Sequence, residues 1–235
     1  MPERIDKKDS PLVFRDLGVL EYNRALALQI DARERKIADP DLPDQLFFVE
    51  HPPVFTLGKN GGRENLMVSD DFLDHKDVAV IQTDRGGNIT YHGPGQAVLY
   101  PVIDLEKAKI GVADFVYGLE EIMQQITLKY GIQADRNARN HGLWVGSSKI
   151  GSVGLAIKRG VSIHGLALNV KPDLTPFSWI NPCGMENVPI TSVKAELKAA
   201  GRQTEVLSMD EIRDDFVTCF CRLFGFKSLP ENAHV

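Results

Sequence analysis

Residues 142–170 narrow the possible folds more than any other part of this chain. Three apolar runs, 142–145, 150–157 and 161–170, are separated only by Gly146-Ser147-Ser148 and Lys158-Arg159-Gly160. Gaps that short, each with a glycine, join antiparallel neighbours, because parallel neighbours need a crossover of a dozen or more residues. The spacing therefore predicts an antiparallel meander. Around it, helical periodicity predicts a helix over 20–37, with Leu26, Ile30 and Ile37 recurring on one face. A second helix over 112–130 has a stripe of Phe115, Leu119, Ile122, Ile126 and Tyr130, with Gly131 as its stop. Residues 45–50, 54–57, 78–82 and 97–105 read as strands, and Pro101 inside the last predicts an edge or a bulge. Ser69 reads as a helix N-cap, 175–180 as a short helix, and 192–200 and 208–225 as two closing helices. The last of these presents Ile212, Phe216, Phe220 and Leu223 on one face. Residues 1–12 read as a loose polar tail. No linker or internal repeat divides the chain, so one domain over 1–235 is expected.

With 43% apolar and 25% charged residues, the chain has enough apolar side chains for a sizeable core. A net charge of −5 argues against general nucleic-acid binding, which needs a basic face. No apolar run approaches the roughly 20 residues of a membrane span. The start, MPERIDKKDSP, lacks the apolar centre of a secretory signal, and three cysteines make no disulfide framework. The expectation is a cytoplasmic protein with neither nucleic-acid nor membrane partners.

Chemistry concentrates in three places. RGGNITYHGPGQ (85–96) crowds Arg85, Thr90, Tyr91 and His92 among glycines that permit close approach of backbone to a ligand. It lacks the Gly-Lys-Ser/Thr ending of a phosphate-binding loop, so a bare turn and a ligand-lining segment remain the two readings. In Asn181-Pro182-Cys183-Gly184 the cysteine sits on an irregular segment, where its sulfur either packs as a small apolar group or faces a cleft. Cys219 and Cys221 lie in the closing helix and read as packing residues. Lys149 opens a strand whose alternate residues, Gly151, Val153, Leu155 and Ile157, form an apolar face. Such a lysine either snorkels to water or sits desolvated where it can exchange protons. His92, His164 and Cys183 lack metal-ligand spacing, so no metal is expected. His164 reads as a hydrogen-bonded strand histidine, and His51 as a loop polar group.

Taken together, HPPVFTLG (51–58), RGGNITYHGPGQ (85–96), SKIGSVGLAIKRGVSIHGLALNV (148–170), NPCG (181–184) and ITS (190–192) resemble the lipoyl(octanoyl) transferase family, in that family's order and over most of residues 15–225. The resemblance implies an α/β (α+β) fold with a mixed, largely antiparallel sheet flanked by helices, as in the catalytic domain of biotin and lipoate protein ligases. It implies that Cys183 carries an octanoyl group as a thioester and that Lys149 lowers the thiol's pKa. It assigns the acyl pocket to Arg85, Gly86, Gly87, Asn88, Ile89, Thr90, Tyr91 and His92, to Ser152, Val153 and Gly154, and to Gly165, Leu166 and Ala167. The implied donor is octanoyl-acyl carrier protein. The implied acceptors are lipoyl domains of 2-oxoacid dehydrogenase complexes and the glycine cleavage H protein. No cofactor is implied, and a monomer is expected.

On that reading Val153, Leu155 and Leu166 are candidate walls for the acyl chain, and His92 is a candidate oxyanion donor beside backbone N–H groups. Lys158, Arg159, Arg136, Arg139 and Lys171 are candidates for a basic rim that attracts acidic partners. The rival readings are an ATP-dependent lipoate or biotin ligase on the same fold, an amidotransferase between lipoyl domains, and a non-catalytic acyl-binding protein.

Overall fold

The computed structural model describes residues 10–137, 141–181 and 188–229. In chain order its elements are β1 (Ser10–Val19), α1 (Tyr22–Ala38), β2 (Asp44–Glu50), β3 (Val54–Leu57), α2 (Asp70–His75), β4 (Ala79–Gln82), β5 (Ile89–His92) and β6 (Gln96–Val102). Then come α3 (Val112–Lys129), β7 (Asp135–Arg136), β8 (Gly142–Val145), β9 (Ser148–Lys158), β10 (Val161–Asn169), α4 (Val193–Ala199), α5 (Met209–Phe224) and β11 (Phe226–Leu229). Eight strands form one sheet in the order β11-β1-β2-β6-β10-β9-β8-β7, and β4-β3-β5 form a smaller one. The large sheet is parallel where β1 meets β11 and β2 and antiparallel elsewhere. The mixed, largely antiparallel sheet with flanking helices agrees with the expected fold class.

The meander is present as expected. The β9–β10 hairpin turns at Arg159 and Gly160, with φ of 48° and 79°, the left-handed pair that matches strand twist in a two-residue loop. On one face of the sheet, α3 contributes Phe115, Leu119, Ile122 and Ile126 to a core shared with Ile212, Phe216, Phe220 and Phe224 of α5. Leu223, expected on that face, is 38% exposed. The buried spacing 212, 216, 220, 224 runs in steps of four, and Gly225 then ends the helix in the left-handed conformation.

α1 packs on the opposite face of the sheet and corrects its expected stripe. Its buried residues are Tyr22, Ala25, Gln29, Ala32, Arg33 and Lys36, whereas Ile30 is exposed. The reason lies in the sheet below. β6 is not an edge strand: β2 flanks it on one side and β10 on the other. Pro101 has no N–H to give to the β10 ladder, and the residue across from it, His164, adopts φ 58°. The backbone N–H of His164 turns out of the ladder and donates to Gln29 Oε1 at 2.8 Å. The left-handed φ of His164 turns its N–H away from the Pro101 carbonyl, and a polar side chain on the buried face of α1 satisfies that donor, a face that apolar periodicity cannot reveal.

Residues 10–12, expected within the tail, begin β1, which pairs with β2 and with β11 from the far end of the chain. Replacing Gln29 by leucine strands the His164 N–H in the interior and should cost about 1–3 kcal/mol in urea unfolding. A change within about 0.5 kcal/mol, the range of neutral surface substitutions, would show that the N–H has another partner.

Candidate functional site

Lys149 is the second residue of β9, but not on the face that simple alternation predicts. Against β8, Leu143 pairs with Gly151 and Trp144 with Lys149, so Ile150 is an extra residue, a β-bulge. Ile150 and Leu143 both pack in the α3–α5 core. The bulge therefore turns Lys149 onto the opposite face, with Trp144, Gly142 and Ser152. Its Nζ lies 5.5 Å from the Trp144 ring centroid, and the side chain is buried. Its backbone is clamped as well: Lys149 N–H donates to Pro189 O at 2.8 Å, and Lys149 O accepts from Thr191 N–H at 2.9 Å.

β8 ends opposite Ser152, which leaves the outer edge of β9 open beyond it. The glycine-rich stretch covers that edge. Gly86 N–H donates to Leu155 O at 2.8 Å, and Gly87 turns away with φ 85°. A Cβ on Gly154 would lie 3.0 Å from Gly86 O, so the contact is backbone on backbone. Arg85 is buried and donates from Nε and Nη2 to Thr56 Oγ1, from Nη2 to Thr56 O, and from Nη1 to Gly86 O.

Three buried histidines lie behind this edge. His51, expected as a loop group, is fully enclosed: Nδ1–H donates to Leu20 O at 2.7 Å, and Nε2 accepts from the Tyr100 hydroxyl at 2.8 Å. His164 Nε2–H donates to Asp84 Oδ1 at 2.7 Å, leaving Nδ1 to accept from the Tyr22 hydroxyl at 3.3 Å. His92 Nδ1 lies 2.7 Å from Gln96 Oε1, and its Nε2 lies 3.4 Å from Thr56 Oγ1. Burial pulls His51 down to about 4. Burial first, then the neighbouring His51, pulls His92 down to about 3. Burial also lowers His164, against the pull of Asp84. All three are neutral near pH 7. Both ring nitrogens of His92, the candidate oxyanion donor of the sequence reading, thus face protein partners, Gln96 and Thr56.

Lys149, the glycine-rich stretch, His92 and His164 border one cavity of about 650 Å³. It brings together Lys149, Arg85, Gly86, Gly87, Asn88, Ile89, Thr90, His92, Ser152, Val153, Gly154, Gly165, Leu166 and Ala167. Tyr91 is different: its ring packs against Phe55 and Phe177 in the core of the smaller sheet. Of the expected acyl walls, the Leu166 side chain belongs to the α3–α5 core, and Val153 and Leu155 pack against it. Ala156, Ala167, Val98 and Tyr100 border the cavity from the face that α1 covers. The cavity also reaches Val112 and Val116 of α3. Sequence reasoning did not assign Val98, Tyr100, Ala156 and Asn169 to the cavity; the first two lie outside the motif segments and the last two within 148–170, and strand register gives all four their place.

Cys183 lies outside the described residues, as does Arg139. The chain is followed to Asn181, whose N–H donates to Asn65 O, and again from Val188, just before the Pro189–Lys149 contact. Cys219 and Cys221 are half-buried and pack against the larger core. The rim candidates are largely neutralised. Lys158 contacts both oxygens of Glu34, Arg136 pairs with Glu121 and stacks on Tyr117, and Lys171 donates to Leu207 O. Lys158 and Arg159 also sit at the far end of β9, about 30 Å along the strand from Lys149.

Residues 21–221 match the family described as the lipoyl protein ligase A/B catalytic domain. An octanoyltransferase from Desulfotalea psychrophila is 42% identical over 93% of this chain and 96% of its own length. One from Alkaliphilus metalliredigens is 44% identical over 76% of this chain and 82% of its own. The chain belongs to this family. Among solved structures, lipoate-protein ligase A bound with ATP superposes with a TM-score of 0.70 at 16% identity, covering 95% of this chain and 89% of that one. A bipartite lipoate protein ligase from Thermoplasma acidophilum gives 0.65 at 18% identity, covering 95% and 88%. At those identities the likeness establishes the fold, and the octanoyltransferase relatives establish the family.

The buried histidines set a pH dependence. For His51 and His92 the folded values, about 4 and about 3, lie below the ordinary 6.5. As pH falls below 6.5 the unfolded chain takes up protons that the folded chain refuses. Stability present above that pH is therefore lost progressively towards pH 4. Between about pH 7 and about pH 5, each of the two should contribute a loss of about 2 kcal/mol in urea unfolding. Equal stability at the two pH values would contradict their neutral burial.

Proposed function

We propose that this chain moves an octanoyl group from octanoyl-acyl carrier protein to a lysine of a lipoyl domain, through a thioester on Cys183. The single observation that most supports the reading is the cavity itself. It gathers the glycine-rich stretch, the paired segments of β9 and β10 and the buried Lys149 amine around one space, in a chain that belongs to a family of octanoyltransferases.

In the first half-reaction Lys149 Nζ takes the proton from the Cys183 thiol. The sulfur attacks the thioester carbonyl of the donor, the carrier's C–S bond breaks, and the carrier sulfur recovers the proton from the Lys149 ammonium. In the second, the amine of an acceptor lysine attacks the octanoyl-Cys183 carbonyl. The Cys183 sulfur leaves, and Lys149 again relays the proton. Thioester exchange is nearly isoenergetic and amide formation is downhill, so the sequence of steps consumes no ATP. Burying the seven carbons beyond the carbonyl supplies about 5–6 kcal/mol at most. The family's acceptors, lipoyl domains of 2-oxoacid dehydrogenase complexes and the glycine cleavage H protein, fit a reaction that ends in a lysine amide.

Incubation with octanoyl-acyl carrier protein should leave one octanoyl group on Cys183, released by hydroxylamine and absent in Cys183→Ser by mass spectrometry. Lys149→Ala should slow its formation by about 10²–10⁴-fold, the usual contribution of a positioned proton acceptor. Full ATP-dependent turnover by Cys183→Ser would replace this mechanism with that of a ligase.

A further inference from the structure

The glycine-rich stretch ends in Gln96 and β10 ends in Asn169, two buried amides that the transfer mechanism leaves unused. They complete a continuous chain of side-chain hydrogen bonds across the fold. Arg85 Nη2 donates to Thr56 Oγ1 at 2.9 Å, and Thr56 Oγ1 lies 3.4 Å from His92 Nε2. His92 Nδ1 lies 2.7 Å from Gln96 Oε1. Gln96 Nε2 donates to Asn169 Oδ1 at 2.8 Å, and Asn169 Nδ2 donates to the Thr191 carbonyl at 3.0 Å. Thr191 is the residue whose N–H binds the Lys149 carbonyl.

The two ends fix the sense of every bond between them. A guanidinium can only donate and a backbone carbonyl can only accept. Arg85 fills the lone pairs of Thr56 Oγ1 with two N–H groups, so the hydroxyl proton points at His92 Nε2. Nε2 is then bare and Nδ1 carries the proton given to Gln96. The Gln96 amide nitrogen faces Asn169 Oδ1, and the Asn169 nitrogen faces Thr191. All six members are buried. Chains of one sense polarise one another, and each interior member is costly to leave unsatisfied. Burial, first of all, and then the neighbouring His51 ring at 5.7 Å and the Arg85 guanidinium oppose a second proton on the His92 ring.

We propose that Gln96 and Asn169 are positioning residues that lock the neutral Nδ1–H tautomer of His92 and fix the Pro189–Thr191 segment against Lys149. The lock sets the place of the lysine amine relative to the cavity, and in that respect it rests on the transfer reading above. Asn169→Asp is nearly isosteric and still accepts from Gln96, but it sets an acceptor against the Thr191 carbonyl. It should retain the His92 tautomer, lower kcat for octanoyl transfer by about 10–100-fold and leave KM for the octanoyl carrier within about twofold, as expected when a reacting group is misplaced rather than substrate binding lost.

The decisive readout is taken on the wild-type chain. In ¹⁵N-histidine spectra of the full chain, with His92 assigned by the signal lost in His92→Gln, Nδ1 should be protonated and Nε2 bare near neutral pH. A protonated Nε2 would overturn the one-sense chain. An Asn169→Asp protein with wild-type kcat, or with a change in KM alone, would overturn the positioning role. A wild-type protein that forms no octanoyl adduct would defeat the transfer reading instead, while the tautomer would still judge the hydrogen-bond chain.

Discussion

A single extra residue in β9 decides on which face of the sheet the Lys149 amine lies. Without the bulge at Ile150, Lys149 would share the face of Gly151 and Val153 and point toward the core built by α3 and α5. With it, the apolar Ile150 enters that core and the amine lies beside Trp144 and Gly142 on the other face. One-residue shifts reverse the facing of a strand because the side-chain period is two. Here the reversal is confined to the first turn of pairing, and the rest of β9 keeps an unbroken register with β10.

The remainder of the site follows from two absences of hydrogen-bonding partners that the fold repairs in different ways. β8 is short, so the outer edge of β9 is left for the glycine-rich stretch, which docks by its own backbone at Gly86 and Leu155. Beside Pro101, which cannot donate to β10, the ladder opens at His164, and the N–H released there donates to Gln29 of α1. The same opening bends His164 to Asp84 and Tyr22. Polar groups are thereby concentrated along one side of an otherwise apolar space. Each is tied to a partner, and no histidine there changes charge near neutrality. In such an environment imidazole does not exchange protons near neutrality, in keeping with the proposed transfer, which assigns that role to the lysine and the thiol.

Much of this was legible in the sequence where the signal is local. The meander, α3 with its stripe, and the caps at Ser69 and Gly131 follow from periodicity and turn residues within a few positions. Among the described residues, the motif-bearing site residues named in the sequence reading line one cavity apart from Tyr91, whose place in a strand turns it to the opposite face. What escaped reading depends on partners far along the chain. β1 is a strand because β11 and β2 flank it, and the buried face of α1 carries a polar group because the His164 N–H points at it. The bulge that redirects Lys149 leaves no mark in β9 itself, since Ser148-Lys149-Ile150-Gly151 reads equally well as regular alternation.

The claim on which the account rests is that the lysine and the acyl chain occupy the same side of β9. An isotope-filtered NMR experiment on protein carrying a ¹³C-labelled octanoyl group tests it directly. The account predicts magnetisation transfer from the chain to the methyl groups of Ala156 and Ala167, on the side that Lys149 shares. Transfer confined to Val112 and Val116 of α3 would place the chain on the far side of the strand and contradict it.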